Sequence, residues 1–529
     1  MSILDKSSLV MIPCGYKEDK LYSVKPRNGE GDFTFTRASS GTRVNANGYI
    51  ETAEIVSTTE LVTNGDFATD TDWNKGNKWT ISGGTANKAT GSTSNISQVI
   101  SGISGKKIQV TFTISNQSGS GGLGASANGS DYTQNSTNGT YTEYITPTSD
   151  NLYIRASYSF VCSIDNVSIK EVAQNNIPRL DYSGGSTTPT LLLEPQRTNK
   201  SNNSEDLTGT GYVKNNVTVT ANQATSPDNT QTADQLDFAS GSGFFYENVT
   251  TITAASTYSV FVKYIDYQYI QIIGTGDVDH YANFDIQNGI VGNTGSESTA
   301  SIEDYGNGWY RCIINYNSGT FAGGARVYKT TSLTAGWAGG GGGAGSFYFW
   351  GNQMEIGTFP TSYIPTSGTS VTRTVESCYL LNNSDVIGEE GVVFIDLVFT
   401  GIIDTYSIFK LSQNASNADR LQLYFQGSQL VVLTKSSSGA GISQQIDSST
   451  TIGKRYKVAI QFKDQDYKIY LDGTSVYTNT TAYAPDGMNE VTFSYGGSGS
   501  LFSFFNDIKQ VAVFKEALTD SELTTLTTL

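Results

Sequence analysis

The chain has 529 residues, 37% hydrophobic and 11% aromatic, with 56 glycines, 31 tyrosines and only 4 methionines. Its formal charge is −16, from 33 basic and 49 acidic side chains. That acid surplus excludes non-specific nucleic-acid binding, which needs excess Lys and Arg to displace counterions from phosphate, and the length predicts several domains.

Aromatics and Thr suit pleated surfaces, and Gly and Asn suit turns. Lys107–Ser115 (KIQVTFTIS), Tyr258–Tyr264 (YSVFVKY) and Tyr456–Phe462 (YKVAIQF) alternate apolar with polar at period two, and almost nothing runs at helical spacing. The expectation is an all-β protein of tandem β-sandwiches. No stretch approaches membrane-span length. The start places Asp5 and Lys6 early, and Leu9–Ile12 is too short for a signal-peptide core. Folding in a cytosol, without membrane insertion, is therefore expected. Cys14, Cys162, Cys312 and Cys378 lie far apart with no CxxC spacing, so they read as mostly buried free thiols rather than a zinc site or disulfide framework.

Residues 1–57 carry seven basic and seven acidic side chains, and Gly29, Gly31, Asn45, Asn47 and Gly48 mark turns. They read as an N-terminal anchoring or hub segment, with Arg37 and Arg43 as surface or inter-module salt-bridge donors.

Residues 58–173 open with LVTNGDFATDTDW (Leu61–Trp73) and close with CSIDNVSIKEV (Cys162–Val172). These ends resemble the jelly-roll carbohydrate-binding modules typified by xylan- and glucan-binding domains. The resemblance implies a complete sandwich whose first and last strands close the sheets. It also implies a structural calcium at Asp165, with Asp66 in the opening motif, since hard oxygen ligands suit that ion. A sugar-binding module needs an aromatic platform. Trp73 is one candidate, and Tyr132 another, beyond a polar run (Asn116–Ser130) that reads as a mobile loop; Trp79 reads as core.

Residues 174–373 contain GNGWYRC (Gly306–Cys312) and FYFWGNQMEIGTFPTSYIPTSGTSVTR (Phe347–Arg373). These resemble a second jelly roll, common in phage tail proteins, where a W-G-x-Q-x-E-x-G strand leads into T-S-Y-I-P-T. Trp309 and Trp350 are expected in the core. Trp337 sits in LTAGWAGGGGGAGS, where exposure would make it a contact residue; this glycine run lacks the Lys-Ser/Thr of a phosphate loop. The only histidine, His280, lies on a presumed strand in GDVDHYANF with no nucleophile elbow anywhere, and reads as structural. Asp277 and Asp279 beside it give only a weak metal hint.

Residues 374–529 carry an Asp472-Gly473 hairpin turn between alternating strands and a Thr519/Glu522 capping box for a short terminal helix. The closing IKQVAVFKEALTDSELTTL resembles the laminin-G and concanavalin A-like sandwiches, many of which bind glycans.

Two further stretches, FTFTRASSGTRVNANGYIE (Phe33–Glu51) and PRLDYSGGSTTPTLLLEPQRTN (Pro178–Asn199), resemble halves of one segment common in phage tail and virion structural proteins, where the parts are contiguous. Here residues 58–173 are inserted between them, so the two stretches are expected to pack together as a hub. Jointly the resemblances imply a non-catalytic phage virion protein, a tail fibre, head fibre or tail-associated adhesin. Its partners would be other virion proteins and host surface glycans, with a homotrimer by analogy to fibres. Two other classes stay open. One is a non-binding capsid decoration or connector. The other is a polysaccharide depolymerase, which needs only two carboxylates but finds no spare length here.

Overall fold

The computed structural model describes residues 2–529 except 210, 250–251, 275–277, 318–323, 338–340, 401–405, 414–417, 427, 498–499 and 504–505. Its elements are nearly all strands, arranged as tandem β-sandwiches, and they fall into two compact units: Glu54–Gln174, and Met1–Ala53 with Asn175–Leu529.

The Glu54–Gln174 unit is one sandwich. Its larger sheet orders strands Gly139–Ile145, Ile108–Ser118, Val161–Ala173, Thr85–Lys88 and Trp79–Ser82, with Ile55–Val56 also pairing onto Val161–Ala173. The facing sheet holds Leu123–Ser126, Asn151–Ala156, Ser94–Val99 and Asn74–Lys75. Period-two alternation sends Ile108, Val110, Phe112 and Ile114 into the core between them. The opening motif closes on the final strand: the Val167 amide donates to the Gly65 carbonyl at 2.8 Å. A Cβ at Gly65 would sit 2.1 Å from the Val167 carbonyl oxygen, so this position requires glycine. The run Asn116–Ser130 is not the loop its composition predicts. Strand Ile108–Ser118 extends into it, and Leu123–Ser126 forms a further strand with Leu123 and Ala125 buried.

In the larger unit, the middle sandwich has two six-stranded sheets. The first orders Tyr212–Asn215, Phe244–Glu247, Arg326–Lys329, Tyr269–Ile273, Tyr281–Asp285 and Ile290–Thr294. The second orders Val217–Ala224, Ala233–Phe238, Gly345–Ile356, Ser256–Tyr264, Trp309–Tyr316 and Ser298–Asp304. Phe284, Val260, Ile314, Phe347 and Phe349 pack between them. Trp309 and Trp350 are buried as expected, but on the opposite face of the second sheet, with Phe261, Tyr363, Val44 and Ile50. Alternation demands this: if Phe347 and Phe349 point inward, Trp350 points outward. The outer face is covered by the hairpin Thr42–Val44/Ile50–Thr52, so the two indoles pack against Val44 and Ile50 of the first signature stretch.

The last sandwich is larger than residues 374–529, and the sequence boundaries need correction. Its eight-stranded sheet contains Arg179–Asp181, Thr190–Leu193, Asn506–Phe514, Gly391–Phe399, Arg455–Phe462, Tyr467–Leu471 and Thr474–Asn479, with Leu9–Met11 paired onto Asn506–Phe514. Its nine-stranded sheet begins with Tyr16–Lys17, Lys20–Leu21 and Phe33–Thr36, which lead into Ser377–Leu380. Residues 1–57 are therefore not a separate anchor: their first strands are built into this sandwich. The Asp472-Gly473 turn has both residues at positive φ, 49° and 83°. The helix Asp520–Thr527 carries the expected capping box.

Leu9, Met11, Leu21, Phe33 and Phe35 are all fully buried in the last sandwich's core. At about 1.5–3 kcal/mol per buried side chain, their removal costs on the order of 10 kcal/mol, comparable to a whole domain's stability. Deleting residues 1–36 should therefore leave the last sandwich unfolded. Limited proteolysis should then cleave residues 377–529 rapidly while sparing the Glu54–Gln174 unit.

Candidate functional site

The two signature stretches do pack together. The Val44 amide donates to Asp181 Oδ1 at 2.7 Å, the Tyr182 amide to the Val44 carbonyl at 3.0 Å, and Arg179 Nη1 to the Thr42 carbonyl at 2.9 Å. At their centre lies a buried ion cluster. Arg179 Nε donates to Glu376 Oε1 at 2.7 Å and its Nη2 to Oε2, while its Nη1 pairs with Glu194 Oε2 at 2.7 Å. Arg37 Nη1 donates to Glu376 Oε1 at 2.7 Å, and Arg373 Nη1 pairs with Glu194 Oε2 at 2.9 Å. Arg37, expected as a surface or inter-module donor, is 1% exposed; Arg43 pairs with Glu51 near the surface.

The other motif residues serve the same clamp. Gln353 Oε1 accepts from the Ile364 amide at 2.6 Å, Glu355 Oε2 from the Thr361 amide at 3.0 Å, and Glu194 Oε1 from the Ser362 amide at 2.6 Å. Burial alone would raise the Glu194 pKa, but Arg373, Arg179 and the Ser362 donors bring it down to about 2. Glu376 is likewise lowered, against its own burial, by Arg179 and Arg37. The signature motifs thus encode an internal joint, their Arg and Glu side chains spent on one another and on the backbone.

The sequence-predicted site residues separate in the structure. Trp73 is 6% exposed, its Nε1 donates to the Asn64 carbonyl at 2.9 Å, and its ring lies 5.2 Å from Phe67. It is core, so the platform reading is corrected. Tyr132 is half-buried, its hydroxyl 2.8 Å from Ser157 Oγ and its ring 6.0 Å from the Arg155 guanidinium carbon. Asp66 Oδ1 accepts from the Ala68 amide at 3.3 Å and Asp165 Oδ1 from the Asn166 amide at 2.6 Å. Among the described residues no three His, Cys, Asp or Glu side chains group to hold a metal. Calcium takes about six to eight oxygens, and these two carboxylates are engaged with their own chain neighbours. His280 is buried, its ring 6.0 Å from that of Tyr316. Asp277 lies outside the described residues.

Trp337 is 43% exposed. The chain leading to it is pinned onto the first sheet of the middle sandwich. Gln271 and Asn283, a cross-strand pair, are both fully buried. Gln271 Nε2 donates to Asn283 Oδ1 at 2.7 Å and to the Gly336 carbonyl at 2.9 Å, and Asn283 Nδ2 donates to the Ala335 carbonyl at 2.7 Å. At the end of the glycine run, Lys329 Nζ holds the Gly343 carbonyl at 2.6 Å, and it also donates to the Ala239 carbonyl at 2.7 Å. Burial lowers the Lys329 pKa.

The same sheet face carries an aromatic surface that sequence reasoning missed. Strand Phe244–Glu247 buries Phe245 and leaves Phe244 and Tyr246 half-exposed. Tyr328 lies opposite Phe244, with ring centroids 5.3 Å apart, and Arg326 lies opposite Tyr246. The Arg326 guanidinium carbon is 4.9 Å from the Tyr246 centroid and 5.5 Å from that of Phe244. Arg326 forms no ion pair among the described residues, and its Nε is buried without a hydrogen-bond partner. Two rings against an uncompensated guanidinium, with Tyr328 beside the first, combine an apolar platform with hydrogen-bond donors. The available signal was Phe-Phe-Tyr itself: consecutive aromatics in one strand must face both ways.

A sequence profile of the concanavalin A-like lectin/glucanases superfamily matches residues 396–524. No curated protein matches the chain. Among solved structures, the chain is similar to the Ruminococcus gnavus IT-sialidase CBM40 bound to α2,3-sialyllactose, at 18% identity over 27% of this chain and 84% of that one, with TM-score 0.23. It is similar to the NanB sialidase of Streptococcus pneumoniae at 17% identity, over 27% of this chain and 24% of that one, with TM-score 0.24. It is also similar to domain 4 of AbnA, a GH43 extracellular arabinanase of Geobacillus stearothermophilus in complex with arabinotriose, at 14% identity over 29% of this chain and 73% of that one, with TM-score 0.24.

Proposed function

We propose that the chain is a non-catalytic phage virion protein, of fibre or adhesin type, whose sandwiches attach the particle to host surface glycans. The observation that carries glycan attachment is the face formed by Phe244, Tyr246, Tyr328 and Arg326, beside the pinned segment that presents Trp337. Sugar rings stack on such surfaces through their C–H faces, while guanidinium and amide donors take the hydroxyls. The virion assignment is supported by the divided signature and by the W-G-x-Q-x-E-x-G and T-S-Y-I-P-T motifs. The concanavalin A-like match at residues 396–524 adds a second sandwich of a type found in lectins.

A glycan array probed with the full chain tests the attachment role. Saturable binding to a defined glycan subset is the expected result, and none at any concentration would leave the connector reading in its place. Light scattering tests the homotrimer. Calcium is a separate matter: with two locally engaged carboxylates and no third grouped with them among the described residues, added calcium should leave the melting temperature unchanged. A rise that disappears in Asp165→Asn would restore the calcium site.

A further inference from the structure

The register of the middle sandwich's first sheet places Arg326 at the centre of a row that faces away from the core. Val213, Tyr246, Arg326, Ile273 and Tyr281 stand side by side across five strands. The adjacent row runs from Asn215 through Phe244 and Tyr328 to Gln271 and Asn283. Neither row contains a carboxylate, in a chain with 49 acidic side chains against 33 basic ones. The segment that presents Trp337 lies over one end of the second row, where its Ala335 and Gly336 carbonyls accept from Asn283 and Gln271. At the other end Val213 is 38% exposed, Asn215 is exposed, and Phe244, Tyr246, Arg326 and Tyr328 are each partly exposed. Three strands about 4.8 Å apart make this open part roughly 10 Å wide, the scale of one pyranose with its substituents.

Other arginines of the chain have acceptors. Arg37, Arg179 and Arg373 each meet a carboxylate. Arg155 has no ion pair among the described residues, but its Nη1 donates to Asn95 Oδ1 at 3.0 Å and to the Gly129 carbonyl at 2.5 Å. Arg326 has neither kind of partner among the described residues, and its Nε is buried without one. What it has is two rings, with centroids 4.9 Å and 5.5 Å from the guanidinium carbon. Ring faces attract the cation, yet its N–H donors still call for oxygen acceptors. A carboxylate is the best of these, because its two oxygens match the guanidinium fork and the bonds are charge-assisted.

We propose that this face selects acidic glycans: a carboxylated pyranose stacks on Tyr246 and Phe244 and places its carboxylate on Arg326. The proposal rests on the glycan-attachment reading of the same face and adds the class of sugar. Asn215, beside Phe244 in the row, supplies neutral polar groups for ring hydroxyls. A hexuronate and a nonulosonate (a nine-carbon keto-acid sugar) share the chemistry that this arrangement would recognise.

Titration of the full chain with two matched pairs tests the proposal: a hexuronate oligosaccharide and a nonulosonate oligosaccharide, each as the free acid and as its methyl ester. The ester keeps the ring and removes the charge. At least one acid should bind about tenfold or more tighter than its own ester, as expected for a charge-assisted contact, and the pair that does so identifies the sugar. Arg326→Met should erase this ratio. Arg326→Lys keeps the charge without the fork and should retain part of it; its melting temperature separates a lost contact from a lost fold. Tyr246→Ala should weaken acid and ester alike and leave the ratio in place. Added salt should shrink the ratio while sparing the ester. Equal affinity of acid and ester in both pairs, a ratio that survives Arg326→Met, or binding confined to neutral glycans overturns the acidic class. Neutral binding that depends on Tyr246 would then leave attachment through the aromatic face intact. Failure of every glycan on the array, acidic and neutral, would instead overturn the attachment reading itself.

Discussion

Glu376→Ala should lower the stability of the larger unit by about 3–5 kcal/mol, the usual cost of removing one partner from a buried ion pair. Glu376 takes two bonds from Arg179 and one from Arg37, and its Oε2 also accepts the Glu194 amide at 2.8 Å. Without it, Arg37 loses the carboxylate it pairs with and Arg179 keeps only Glu194. Replacing Arg37 with methionine at the same time should recover part of the loss, because it removes one of the stranded charges. Calorimetry reads both variants, with the Glu54–Gln174 transition as an internal reference. The cluster also sets an acid limit. Glu194 has a folded-state pKa of about 2 against an ordinary 4.5, so its contribution is fully present above pH 4.5 and is lost as pH falls toward 2. The stability of the larger unit should thus fall across that window, by on the order of 3 kcal/mol from this group alone, and its melting temperature with it. The Glu194→Gln variant should show a flatter acid limb from a lower starting point.

Tyr246→Ala and Tyr328→Ala should each weaken glycan binding by about ten- to a hundredfold, the range for central aromatic contacts. Both side chains are half-exposed on a strand whose other face is core, so the substitutions should leave the melting temperature nearly unchanged. Arg326→Met should reduce binding while retaining the platform, which separates the guanidinium's donors from the rings' apolar surface. Tyr144→Ala, a 48%-exposed tyrosine in the Glu54–Gln174 unit, is the matched control and should have no effect. If the tyrosine variants bind as well as the wild type, the aromatic face is not the contact surface.

Much of the architecture was legible because alternation is a local property. KIQVTFTIS, YSVFVKY and YKVAIQF became strands where the pattern placed them, and the Thr519/Glu522 box capped its helix. The misread parts depend on partners distant in sequence. The 1–57 boundary was missed because three-residue strands such as Leu9–Met11 have no periodicity to read, and its partner Asn506–Phe514 lies at the other end of the chain. Arg37 read as a surface group because its counter-charge, Glu376, is 339 positions away. Trp73 read as a platform because an exposed and a buried indole look identical in a polar stretch; only Phe67 and the Asn64 carbonyl decide between them. The exposure of Trp337 rests on contacts from Gln271 and Asn283 that composition does not announce.

The pairing of Leu9–Met11 with Asn506–Phe514 has a consequence for synthesis. The Ser8 hydroxyl bonds the Val513 carbonyl across 505 positions. At roughly 5–20 residues per second, a ribosome needs on the order of half a minute to two minutes between making the two strands. For that interval Leu9 and Met11 wait without their sheet, while the Glu54–Gln174 unit already holds all of its own strands and can complete itself. Nascent chains should therefore acquire protease resistance in two steps, the inserted unit first and the last sandwich only once Asn506–Phe514 has emerged. Chaperone occupancy during translation should concentrate on the earliest residues rather than on the latest.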